Sequence, residues 1–239
     1  MRPIYRSPAY FFLSYLQSNN EIHPEENNIL DCGAGGAVPP LGLFFEYGFK
    51  THGIDISEDQ ITLAKQFEKE QAMQLNIQKG DMRAIPFPDV SFDFVFEMYS
   101  MVHLSKDDIR TTLSEIQRVL KPNGISFVTF MSTDCWPMDG KEEKPGEFRC
   151  IEHGQNVIHS LFSDKEALQY CSNWNILQMV KQSRFSPTEV AQMSPSDWDN
   201  FYDNNELEIE HNQWLETYLT RVERWRSVHL FFILQKTDA

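Results

Sequence analysis

The segment Ile29-Leu30-Asp31-Cys32-Gly33-Ala34-Gly35-Gly36 is a short apolar run that ends on a carboxylate and breaks into three glycines. Apolar runs of this length bounded by glycine read as buried strands of a parallel sheet. The glycines mark a turn where the backbone can approach a ligand without Cβ contacts. Working outward, a second run at 51–54 stops at Asp55, 22 residues after Gly33. A third, at 75–78, runs into Gly80 and Asp81, 26 residues after Asp55. Three acids therefore close three successive predicted strands. In an open α/β sheet the carboxyl ends of the strands face the ligand crevice.

From 27 to 131 short apolar runs alternate with amphipathic segments, the pattern of βαβ units. A helix is predicted at 38–47, with Pro39 and Pro40 in its first turn and Gly48 past its end. Ser57 and Gln60 form a capping box for a helix that turns Ile61, Ala64 and Phe67 inward. A fourth strand spans 92–96. Ser105 and Asp108 then cap a helix carrying Ile109, Leu113, Ile116 and Leu120 at helical spacing, and Pro122-Asn123-Gly124 turns the chain into a strand at 125–130. Beyond 131 the rhythm changes. Trp136, Pro137, Gly140, Pro145 and Gly146 give 135–149 the composition of a long irregular loop. Ser163 and Glu166 cap another helix, and strands are predicted at 175–180 and 228–234. Between these lies a predicted helical insertion at 187–220 with eight acids and no Lys or Arg, read as a solvated face rather than a lure for a cationic ligand.

Over 239 residues, 41% hydrophobic and 23% charged, the composition is that of a globular protein with room for one large domain. Lys and Arg number 21 against 35 Asp and Glu, a net charge of -14 that opposes a nucleic-acid partner. The densest basic cluster, Arg221, Arg224 and Arg226, has Glu223 among it. Cys32, Cys135, Cys150 and Cys171 are far apart and form no CxxC pair, so neither a disulfide framework nor a structural metal is signalled. The N-terminus, with Pro3 and Pro8 before a short apolar run at 10–13, lacks the pattern of a signal peptide, and no apolar stretch approaches the ~20 residues that span a bilayer. The expectation is a cytoplasmic protein with no membrane partner.

An acid ending the second strand suits a grip on two ribose hydroxyls, and one after the third suits an exocyclic amine such as that of adenine. GxGxxG fails because position 38 is Val38, and no GK[ST] follows the turn to make a P-loop. These features, with Gly53-Ile54-Asp55-Ile56-Ser57, Gly80-Asp81-Met82, Phe92-Asp93-Phe94-Val95-Phe96 and the segment from Glu115 through Pro122-Asn123-Gly124, resemble the class I methyltransferases that use S-adenosyl-L-methionine. The resemblance runs from about Asn27 to Phe130 and returns at the last strand. It implies a doubly wound, mostly parallel seven-strand α/β sheet with an antiparallel last strand. By the same resemblance Asp31, Gly33 and Gly35 surround the methionine portion, with Gly36 in the same turn. Asp55 holds the ribose, Ile56 lies against the adenine, Asp81 and the Met82 amide read its edge, and Glu97 and Met98 flank the amino group. Ala37 stands where the family usually has a third glycine, which implies an altered loop geometry.

His103 lies just beyond the fourth strand, where it would take a proton from a methyl acceptor or simply bond a loop carbonyl. Tyr99, Trp136 and His159 are candidates for lining an acceptor pocket, with Phe148 and Phe162 nearby. His153 and His159 have no third ligand at useful spacing, so no metal site is expected. Tyr10, Phe11, Phe12 and Tyr15 stripe a predicted N-terminal helix at 8–18 that packs on the core, with Tyr10 as a candidate lid over the cofactor. The expectation is thus one domain, 1–239, with its core at 27–131, 163–183 and 227–236 and lids at 132–162 and 187–220. Its expected activity is methyl transfer to a small molecule. Methylation of a protein side chain and a silent cofactor-binding module remain as alternatives.

Overall fold

Along β4 (Phe92–Glu97), Phe94 and Phe96 point to one face of the sheet and Val95 to the other, the two-residue period of a strand covered on both sides. The computed structural model describes residues 3–18, 23–135, 138, 140–152, 155–185 and 226–237. Trp136, His153 and the predicted insertion at 187–220 lie outside them.

On the Phe94 face pack α1 (Ser7–Gln17), α2 (Leu41–Glu46) and α3 (Glu58–Gln71). Phe12 of α1 is fully buried and stacks on Phe96 at 5.9 Å, which stacks on Phe127 at 5.1 Å. The opposite face is covered by α4 (Lys106–Val119), through Ile109, Leu113 and Ile116, and by α5 (Asp164–Tyr170). The predicted caps form: the hydroxyls of Ser57, Ser105 and Ser163 accept the N–H groups of Gln60, Asp108 and Glu166. Each satisfies an N–H that the first helical turn leaves unpaired. The helix predicted at 38–47 is shorter, starting at Leu41 after the two prolines.

β1 (Asn28–Cys32), β2 (Lys50–Asp55), β3 (Ile77–Lys79), β4 and β5 (Leu120–Ser132) form a parallel sheet in the order β3-β2-β1-β4-β5. The order reverses between β1 and β4, and a ligand crevice opens at such a switch point. β10 (Arg226–Lys236) runs antiparallel between β5 and β9 (Trp174–Phe185). These are the seven strands of the doubly wound sheet. β5 begins at Leu120, so the predicted turn at 122–124 is a distortion within the strand, with Asn123 at φ +61°.

The sheet has ten strands rather than seven. The segment expected as an irregular loop holds β6 (Lys141–Lys144), β7 (Glu147–Glu152) and β8 (Gln155–Phe162), an antiparallel meander. Pro145 and Gly146, at φ +74°, make the tight turn between β6 and β7, the residue pair suited to a type II turn. β8 joins the parent sheet at two pairs, Met131 with Leu161 and Ser132 with Phe162. Met131 also pairs with His229 of β10, so β8 occupies the side of β5 that β4 takes lower down. The Ser160 hydroxyl donates to the Leu104 carbonyl at 2.6 Å, and the Lys106 N–H to the Glu147 carboxylate at 2.6 Å. The outermost strand, β6, exposes Lys141, Glu142, Glu143 and Lys144.

Candidate active site

The crevice at the carboxyl ends of β1, β2 and β4 has two adjoining lobes of about 430 and 590 Å³, within the range of small-molecule pockets. Gly33, Asp55, Ser100 and His103 border both. The first lobe adds Ile56, Asp81, Met82 and Arg83, and the second adds Ile4, Arg6, Gly35, Gly36, Met98 and Tyr99. A Cβ on Gly33, which has φ +97°, would lie 2.0 Å from the Ser100 hydroxyl, so glycine is required by both dihedral and space. At Gly35 a Cβ would lie 2.5 Å from Asp55 Oδ2. The Asp55 carboxylate accepts the N–H groups of Gly35 at 2.9 Å and Ser57 at 2.8 Å. Gly33 and Ala34 donate to the Ile54 carbonyl, and Gly36 to that of Gln60. The amides of the turn are therefore spent on holding it.

Asp31 is 1% exposed at the end of β1, and its Oδ2 has no hydrogen-bond partner among the described residues. Burial first, then the neighbouring Glu97 and Asp55, push its carboxyl well above the usual range. Glu97 is fully buried and borders neither lobe. One oxygen accepts the N–H groups of Ser100 and Met101, the other the N–H and hydroxyl of Thr129, at 2.7 to 3.0 Å. Burial raises its pKa while these hydrogen bonds oppose the rise. Its carboxylate thus fixes the loop after β4, and Met98 is the residue of that pair that reaches the crevice. Asp81 is clasped by Arg83, Nη2 to Oδ2 at 2.7 Å, and that hydrogen bond holds its carboxyl below the usual range. Ile56 is 62% exposed at the rim. Tyr10 stands edge-on to Tyr5 at 6.3 Å and borders neither lobe, whereas the N-terminal segment reaches the second lobe through Ile4 and Arg6.

His103, exposed in a 3-10 turn (Met101–His103), meets the edge of buried His159 on β8 with ring centroids 4.8 Å apart. The tethers at Ser160 and Glu147 bring these distant imidazoles together. Tyr99 has φ +62°, donates its N–H to the Thr129 hydroxyl at 2.9 Å and packs on His229 at 4.5 Å. Arg6, Arg83, Ser100 and His229 escaped the sequence reading. Arg83 carries a signal, two residues from Asp81, but Arg6 borders the crevice, and His229 packs behind it on Tyr99, only through tertiary packing.

A methyltransferase-domain family model matches residues 29–124, the span that builds both lobes' glycine turn and acids. The chain carries a class I methyltransferase domain. Its cofactor is S-adenosylmethionine. The methyltransferase is similar to "Uncharacterized methyltransferase YcgJ" of Bacillus subtilis strain 168, 26% identical over 204 residues, covering 85% of this chain and 70% of the relative. It is 33% identical over 133 residues to sterol 24-C-methyltransferase ERG6B of Gibberella zeae, covering 54% of this chain and 34% of that protein, so the match spans about a third of the sterol enzyme. Its fold is like that of the PH0226 protein from Pyrococcus horikoshii OT3, with a TM-score of 0.66 at 17% identity over 97% of this chain and 90% of that one. The methyltransferase's crevice suits a cationic adenosyl ligand, because the Asp55 carboxylate borders both lobes and Asp31, which borders neither, leaves a buried oxygen unpaired beside it. Among the described residues, no helix is long and apolar enough to cross a membrane, and no three His, Cys, Asp or Glu are grouped to hold a metal. Its four cysteines are buried, and none is in a disulfide among the described residues.

Proposed function

We propose that this methyltransferase acts on a small molecule seated beside His103. The observation that carries the reading is that the two lobes meet at Gly33, Asp55, Ser100 and His103, so a nucleoside and a second molecule reach one point. The relative named for a sterol supports an acceptor of that size. When bound, S-adenosylmethionine supplies an electrophilic methyl group on a cationic sulfur. Asp55 would hold the ribose hydroxyls, Ile56 and Met82 the adenine with Asp81 at its edge, and Gly33 and Gly35 would border the methionine chain near Asp31 and Met98. The field of Asp31, Asp55 and Glu97 favours a positive ligand, and the low-dielectric surroundings strengthen it. Tyr99 and Ser100, fixed through Glu97 and Thr129, hold the wall against which an acceptor is aligned, which lowers the entropic part of the barrier. His103 would take the acceptor's proton, and imidazole is the side chain suited to that exchange near neutral pH.

The test is incubation with methyl-labelled S-adenosylmethionine and a metabolite extract, followed by mass spectrometry. One metabolite should gain a methyl group. His103→Ala should slow that product's formation about 10²-fold or more while S-adenosylhomocysteine affinity stays within about twofold. Label confined to protein, or no S-adenosylhomocysteine formed with any extract, would overturn the reading.

A further inference from the structure

We infer that Arg83, acting through Asp81, is the positioning residue that makes the first lobe select a base carrying an exocyclic amine. The inference deepens the methyl-transfer reading and rests on it. Of the three acids that close the strands, Asp81 alone is paired with a cation among the described residues. Arg118 and Arg149 are also clasped by carboxylates, but neither they nor those carboxylates border a lobe, whereas Arg83 and Asp81 both line the first.

The clasp determines what the carboxylate can still accept. Oδ1 takes the Arg83 backbone N–H at 2.9 Å and shares the Nε–H with Oδ2, at 3.0 Å each, while Oδ2 also takes Nη2 at 2.7 Å. Three donors thus meet a group with about four lone-pair sites, which leaves one for a ligand N–H. The guanidinium is held from its other side by Asp108, Nη1 to Oδ2 at 3.5 Å, and that oxygen accepts the Ser105 hydroxyl at 2.9 Å. A planar fork fixed at both ends gives the carboxylate one orientation. The same bonding holds the Asp81 carboxyl below its usual range, so it stays ionised, and able only to accept, when a base covers it. An ionised acceptor attracts an amine and repels a carbonyl oxygen. Without the guanidinium, a carboxyl desolvated by the bound base takes up a proton and can donate it to a carbonyl. The backbone turn does not depend on the guanidinium. The N–H groups of Arg83 and Ala84 bond Asp81 through the main chain, and Ile85 is tied to Glu115 and Arg118 of α4.

The test is calorimetric titration of wild type, Arg83→Ala and Arg83→Lys with S-adenosylhomocysteine and with S-inosylhomocysteine, whose base has a carbonyl in place of the amine. Wild type should bind the adenosyl ligand at least about tenfold more tightly than the inosyl ligand. Arg83→Ala should lose about tenfold for the adenosyl ligand and hold the inosyl ligand within about twofold, so that the preference disappears. Arg83→Lys, which keeps the charge without the planar fork, should fall between, and it carries the comparison if Arg83→Ala is too unstable to titrate. Equal losses for both ligands would make Arg83 a structural support of the lobe and overturn the inference. An unchanged preference in the variants, or a wild type without preference, overturns it as well, and in each case the methyl-transfer reading stands. If wild type binds neither nucleoside, both fall together.

Discussion

Asp31 keeps one carboxylate oxygen unpaired beside Glu97 and Asp55, in a position where folding alone would favour a neutral side chain. Its carboxyl is raised above the unfolded value, so its contribution to stability is complete below the ordinary carboxylate range, ~3.9, and is lost as pH climbs through the raised value. Asp31→Asn should therefore melt higher relative to wild type at pH 8 than at pH 5. The gap should widen by a few degrees, since about 1 kcal/mol moves Tm by ~2–4 °C in a domain of this size. The same variant should bind S-adenosylhomocysteine more weakly. Scanning calorimetry at the two pH values checks the first point, and a gap independent of pH would contradict it. Asp55 acts differently, because it both ties Gly35 and Ser57 and faces the crevice. Asp55→Ala should weaken S-adenosylhomocysteine at least about tenfold, and an unchanged Kd in folded protein would remove it from the site. Position at a strand end is readable from sequence, which is why Asp31, Asp55 and Asp81 stood out. Which oxygens are already spent is not, because the partners of Glu97 lie up to 32 residues away.

Among the elements, β1, β2, β4 and β10 and the three serine caps were legible because their signals are local: apolar runs, or a hydroxyl three residues from an N–H. The meander of β6 to β8 was not, because β6 is wholly exposed and shows no apolar alternation, and Pro145 and Gly146 suit a loop as well as a hairpin. Its attachment depends on buried Glu147, which accepts the Lys106 N–H at the start of α4. Glu147→Ala leaves that N–H without its acceptor, at a cost of about 1–3 kcal/mol. The urea midpoint should fall accordingly. Amide exchange should quicken in 141–162 and in the turn bearing His103 while β1 and β4 keep their protection. A uniform loss of protection would mean that the meander and the parent sheet open as one.

Across the whole molecule, the alternation of strand and helix points to a parallel sheet with right-handed crossovers. The seven-strand layout came with the resemblance to the class I methyltransferases, and the crevice with the acids at the strand ends. An open sheet leaves border strands with unpaired backbone groups. Here they are β3, three residues long, β9, which pairs with β10 alone among the described strands, and β6 with its four charged side chains. Short or charged borders deter strand-to-strand docking between molecules. The charge of β6 then serves as a gatekeeper against self-association, a task separate from stability or methyl transfer. Replacing Lys141 and Glu143 by valine keeps the net charge at -14 and leaves the crevice untouched. Light scattering should nevertheless detect concentration-dependent oligomers in the double variant and none in wild type, and monodisperse behaviour in both would show that this border is protected by something other than its charges.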